Sequence, residues 1–126
     1  MNEVTKLPLL GRRIMVVEDN YIIAFAMQAG LEKQGAIILG PAPSVRKALR
    51  LLDAELSVDA AVLDMNLGDE NVFAVASALE ARGIPFLFTT GYGAGDVPPA
   101  WLHVQRFEKP TEVADVVSAL LGFGAP

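Results

Sequence analysis

Five short apolar runs, each followed by a polar stretch or a segment of helical period, limit what this sequence can fold into. Residues 14–17 (IMVV), 36–40 (AIILG), 60–63 (AAVL), 86–90 (FLFTT) and 104–109 (VQRFEK) have the length and composition of strands. Between them apolar residues recur at helical spacing. Asn20 can cap a helix through Gln34, its side-chain oxygen accepting from an orphan N–H of the first turn. Ile22, Ile23, Ala26, Met27, Gly30 and Leu31 follow as its apolar stripe, and Gly35 ends it. PAPS is a loop closing on Ser44, the cap of a second helix with Val45, Ala48, Leu49, Leu52 and Leu56 in one stripe. A third helix is expected over residues 72–82, with Val72, Val75, Ala76 and Leu79 inward. A last one over residues 111–121 should place Val113, Val116, Val117, Leu120 and Leu121 on one side. GYGAGDVPPA, between the fourth and fifth strands, holds too much glycine and proline for a robust helix.

Alternation of this kind favours an α/β fold, a parallel sheet covered by helices on both faces and joined by right-handed crossovers. In such sheets ligand sites lie beyond the carboxyl ends of the strands, where strand order reverses. The residues at those ends are Glu18 and Asp19 after the first strand, Asp64 and then Asn66 after the third, Thr89 and Thr90 after the fourth, and Lys109 with Pro110 after the fifth. Taken singly each has a plain structural role: an acid doublet complements a helix N-terminus, an aspartate forms a turn, a lysine snorkels. Taken together they converge. Two carboxylates about 4 Å apart repel by ~4 kcal/mol at an effective dielectric of 20. Such a cluster calls for a cation, or its members must protonate. A hard divalent ion such as Mg²⁺ or Mn²⁺ takes oxygen ligands of this type, together with a phosphate oxygen when one is present. A carboxylate beside that ion, with a lysine and a hydroxyl opposite, suits phosphoryl transfer through an aspartyl-phosphate.

The 126 residues are 52% apolar and 20% charged, enough for one globular domain with a substantial core. Residues 1–11 read as a flexible leader, 12–122 as the domain and 123–126 as a tail. The net charge of −5 and the scattered basic residues, with doublets only at Arg12–Arg13 and Arg46–Lys47, argue against nucleic-acid binding. No cysteine is present, which excludes disulfides and thiolate chemistry. No apolar run reaches the ~18 residues of a membrane span, and MNEVTKLPLL is a poor signal peptide. A cytoplasmic location fits these features. His103, the lone histidine, cannot form a metal cluster by itself and reads as structural or peripheral. Trp101 and Tyr92 fit loop packing or a partner surface.

VVEDN, AVLDMNLGDE, FTTGY and EKP, in this order on alternating strands and helices, resemble the receiver domain of two-component response regulators. The resemblance covers residues 13–121. It implies a flavodoxin-like (CheY-like) five-stranded sheet in the order 2-1-3-4-5. It implies Asp64 as the phosphoacceptor, and Mg²⁺ bound by Glu18, Asp19, Asp64 and the backbone carbonyl of Asn66. Thr90, followed by the small Gly91, matches the hydroxyl that contacts the phosphoryl group, with Thr89 as the fallback. Lys109 matches the family's lysine, and its bond to Pro110 is commonly cis. The implied donor is a sensor histidine kinase or phosphotransfer protein, and the output is an unknown downstream protein. Neither nucleic acid nor membrane is implied, and a weak homodimer through the last helix is in keeping. The only chemistry implied is self-phosphorylation and autodephosphorylation, with no external small-molecule substrate.

The sequence departs from the family where many receivers carry an aromatic residue three positions before the lysine, since Arg106 stands there. FTTGYG followed by AGDVPP looks like a subgroup with a Phe-Xaa-Thr-Gly-Tyr signature, often single-domain, in which the fourth helix is short or mobile. Switching is therefore expected to involve Thr90, Tyr92 with its loop, and Arg106. No output domain lies within the 126 residues, so the chain reads as a shuttle, phosphate sink or binding switch, or a piece of a longer chain. One alternative is a phosphorylation-independent interaction module on the same fold, whose mark would be a lost pocket residue. None is lost. The other is a phosphatase of the haloacid dehalogenase type, which needs a second aspartate where Asn66 stands.

Overall fold

The computed structural model describes residues 7–91 and 97–124. Its elements are β1 (Arg13–Val17), α1 (Tyr21–Lys33), β2 (Ile37–Ala42), α2 (Val45–Ala54), β3 (Ala60–Asp64), β4 (Asn66–Leu67), β5 (Glu70–Asn71), α3 (Phe73–Ala81), β6 (Phe86–Thr90), β7 (Arg106–Glu108) and α4 (Val113–Gly122), with a 3₁₀ turn at Pro99–Trp101 before β7. The large sheet runs β2-β1-β3-β6-β7 with every neighbouring pair parallel. Its five long strands therefore stand in the expected order 2-1-3-4-5. The antiparallel pair β4–β5, two residues per strand, is a small hairpin in the loop after β3.

Alternate residues divide the core in two, as a period of two requires. Met15, Val17, Ala61, Leu63, Phe86 and Phe88 face the layer of α2 and α3. Ile14, Val16, Ala60, Val62 and Leu87 face that of α1 and α4. The caps are as expected: Asn20 Oδ1 accepts from Ile23 N at 3.0 Å and Ser44 Oγ from Lys47 N at 3.2 Å.

Several inward assignments are corrected. Residues 7–11 do not behave as a leader: Leu9 is fully buried, and its N–H donates to Gln34 O at 2.8 Å while that of Gly11 donates to Gly35 O at 3.0 Å. Gly35, at φ +97°, lets this segment lie close; a Cβ there would come within 2.7 Å of Leu10 Cα. Leu56 is exposed because α2 stops at Ala54 and Glu55 is extended, so the periodic stripe overruns its helix. Ile22 also faces out, and Ala24 packs instead, because the first turns of α1 are apolar all round. On α4 Leu121 is exposed and Ala119 buried. β2 continues through Gly40 and Pro41, where its register with β1 shifts between Met15 and Val17, so the loop is shorter than PAPS. Among the described residues no helix is long and apolar enough to cross a membrane.

Candidate functional site

β1 and β3 are neighbours, yet their outgoing connections lead to opposite sides of the sheet, so a crevice opens beyond their carboxyl ends. Glu18, Asp19 and Asp64 meet there, with one carboxylate oxygen from each lying within 4.8 Å of the others. Glu18 and Asp64 are buried, and Asp19 is exposed. Lys109 enters from the end of β7, placed by its own N–H donating to Thr90 O at 2.7 Å. Its ammonium spans the two buried acids, 2.7 Å from Glu18 Oε1 and 3.0 Å from Asp64 Oδ2. The other oxygens take backbone donors: Asn20 N–H to Glu18 Oε2 at 3.0 Å and Asn66 N–H to Asp64 Oδ1 at 3.2 Å. Each buried carboxylate thus has one oxygen on the ammonium and one on a main-chain amide, which fixes both rotamers.

Burial, reinforced by hydrogen bonding and repulsion from Glu18 and only partly offset by Lys109, pushes the Asp64 carboxyl up to about 7. Burial pulls the Lys109 ammonium down, but its contacts with Glu18 and Asp64 outweigh that and leave it above its ordinary value. Three acids against one ammonium leave negative charge in excess. All the acidic donors are hard oxygens, which fits Mg²⁺ or Mn²⁺ and not a thiophilic metal. Asp19 Oδ2 lies over Gly68, 3.9 Å from where a Cβ would stand. Gly68, at φ +67°, makes the turn of the β4–β5 hairpin, so this loop and the acid pair form the two lips of the site.

The two threonines part company by strand alternation. Thr89 is buried, follows Leu87 on the α1 side, and lines a cavity of about 240 Å³ together with Glu18 and Lys109. Thr90 is half-buried on the other face, and its hydroxyl donates to Gly91 O at 3.4 Å. Among the described residues no hydrogen bond joins the Thr90 hydroxyl to Asp64 or Lys109. Apart from Thr111, the rest of the cavity wall is apolar, including Ile22, Ile23, Ala26 and Met27 of α1 and Val113. No sequence signal pointed to this space. The Lys109–Pro110 bond is cis.

Among the proposed switch residues, Arg106 is exposed on β7 and Tyr92 lies outside the described residues. Trp101 settles into loop packing: it is buried, stacked on Phe73 at 6.2 Å and 9°, and edge-on to Phe88 at 6.5 Å. His103 is exposed, 4.0 Å from Glu80.

No protein-family model matches the sequence. Solved structures do. The chain is 35% identical to SdrG from Sphingomonas melonis, with 88% of this chain and 97% of that one covered at a TM-score of 0.76. A response regulator receiver protein from Sinorhizobium medicae, 22% identical, shares the fold at a TM-score of 0.71 over 90% of this chain and 97% of its own. The phyllosphere-induced regulator PhyR of Methylorubrum extorquens is 27% identical over 121 residues, 90% of this chain. The chain spans 45% of that curated relative's length. With the five-stranded order, the strand-end acids and the bridging lysine on the same scaffold, the chain belongs to the receiver-domain family of two-component response regulators.

Proposed function

We propose that this chain accepts a phosphoryl group on Asp64 from the phosphohistidine of a sensor kinase or phosphotransfer protein, and passes the signal on by a change of shape to a protein partner. The observation that carries this reading is the pairing of a buried aspartate with a lysine ammonium at 3.0 Å inside a cluster of three acids. An Asp64 carboxylate oxygen attacks phosphorus, the donor's N–P bond breaks, and the acyl phosphate forms. Lys109, already fixed by Glu18 and Asp64, is placed to balance charge on the transferring oxygens, and Thr90 is assigned to hydrogen-bond the phosphoryl group once it is attached. Glu18, Asp19, Asp64 and the carbonyl of Asn66 would hold Mg²⁺. When bound, that ion supplies electrostatic neutralisation of the phosphoryl oxygens. Hydrolysis of the acyl phosphate returns the carboxylate, and no external small-molecule substrate is needed.

The test is intact-mass spectrometry after incubation with acetyl phosphate and Mg²⁺. One added phosphoryl group on the wild type, absent from Asp64→Ala and absent without Mg²⁺, supports the reading. No addition from either acetyl phosphate or a phosphorylated kinase removes it in favour of a phosphorylation-independent binding module. The switch is assigned to Thr90, Tyr92 and Arg106. Hydrogen exchange over residues 91–104 that is identical with and without a phosphoryl analogue would exclude that assignment.

A further inference from the structure

α1 begins after the acid pair and its cap Asn20, α4 begins at Val113 just beyond the Lys109–Pro110 turn, and the two helices lie side by side on one face of the sheet. They meet at Gly30 and Val113. A Cβ built on Gly30 would fall 2.7 Å from Val113 Cγ2, 2.9 Å from Cγ1 and 3.2 Å from Cβ, closer than carbon atoms pack. On the site side of this contact, α1 and the segment from Lys109 to Val113 wall the 240 Å³ cavity, whose polar members are Glu18, Thr89, Lys109 and Thr111. Glycine inside a helix is ordinarily unfavourable relative to alanine, and Gly30 has an ordinary helical backbone with no positive φ. Its use here is therefore the missing side chain.

Only Pro110, Thr111 and Glu112 separate Lys109 from Val113. The turn is braced, with Thr111 Oγ1 donating to Glu108 O at 3.3 Å. Displacement of Val113 is therefore passed to the residues beside the ammonium. We infer that Gly30 is a positioning residue for Lys109: by letting Val113 sit against the α1 backbone, it sets the depth of the α4 N-terminus and so the reach of the lysine to Asp64. This rests on the phosphoacceptor reading. Reacting groups displaced by up to an ångström cost on the order of 10–100-fold in rate.

The test is a double-mutant cycle on the full chain, read as the rate of phosphoryl addition from acetyl phosphate by intact mass. Gly30→Ala should slow addition about tenfold. Val113→Ala, which removes the two atoms nearest the new methyl and keeps only Cβ, should make the same change nearly harmless, so that Gly30→Ala/Val113→Ala runs within about twofold of Val113→Ala. Mg²⁺ affinity by calorimetry should stay within about twofold throughout, because the acids stand on β1 and β3. Because relief of the clash would rescue a general packing loss as well, it is the unchanged Mg²⁺ affinity that separates a displaced lysine from a disturbed fold. If Gly30→Ala does not fold, Val113→Ile enlarges the same contact from the other side and should also slow addition. Wild-type rates in a folded Gly30→Ala or Val113→Ile overturn the inference, as does a double mutant slower than Val113→Ala. Failure of the wild type to take up phosphoryl from any donor overturns the functional reading and this one with it.

Discussion

Between pH 3.8 and about 7, burial favours a proton on Asp64 that the unfolded chain would already have lost. Its carboxyl rises from 3.8 to about 7 on folding, so between those values the native state binds more protons than the unfolded state. That contribution is fully present below about 3.8 and is lost as pH rises through about 7. Without divalent metal, the stability of the wild type should therefore fall from pH 4 to pH 8 at this site. Asp64→Asn should flatten the slope and be more stable at pH 8 by about 2 kcal/mol, measured by urea denaturation at several pH values. Equal slopes in the two proteins would refute the assignment. Mg²⁺ at tenfold its dissociation constant should restore about 1.4 kcal/mol to the wild type at neutral pH. The identities of these residues were legible in the sequence, because strand ends can be counted from periodicity. The distinction between Thr89 and Thr90 was not: which threonine enters the α1-side cavity depends on strand phase, and both belong to one apolar-to-polar transition.

At the level of elements, apolar period located the four α-helices and the five long strands among the described residues, but it could not say where α2 ends. Its C-terminus is held by a residue distant in sequence. Arg82 donates to Leu52 O at 2.7 Å, in the last turn of the helix, and to Glu55 O at 2.9 Å and Leu56 O at 3.2 Å in the extended residues just beyond it. Arg82→Ala should cost about 1–2 kcal/mol in chemical denaturation, while Leu56→Ala, in an exposed position, should stay within about 0.5 kcal/mol. A large loss in Leu56→Ala would mean that the stripe does continue inward. The β4–β5 hairpin was unreadable for a different reason: two residues per strand give too little alternation to recognise. Its Glu70 accepts from Val45 N at 3.4 Å, joining the loop after Asp64 to the start of α2.

Across the whole molecule, residues 7–12 prove to be part of the folded body. Composition gave them no partner, since the partner is the end of α1 and the turn after it. Leu9→Ala should cost about 2–4 kcal/mol by thermal or urea unfolding. A neutral Leu9→Ala would restore the idea of a loose leader. The aromatic packing beneath the 3₁₀ turn has a consequence of another kind. Trp101 is the single tryptophan of the chain, and it is shut away among Phe73, Phe86 and Phe88. Phe73 opens α3 at the far end of the loop that starts from Asp64. The protein therefore carries its own optical probe: its emission should be blue-shifted and poorly quenched by acrylamide, and a shift of that emission would report, without any label, events that begin at the aspartate.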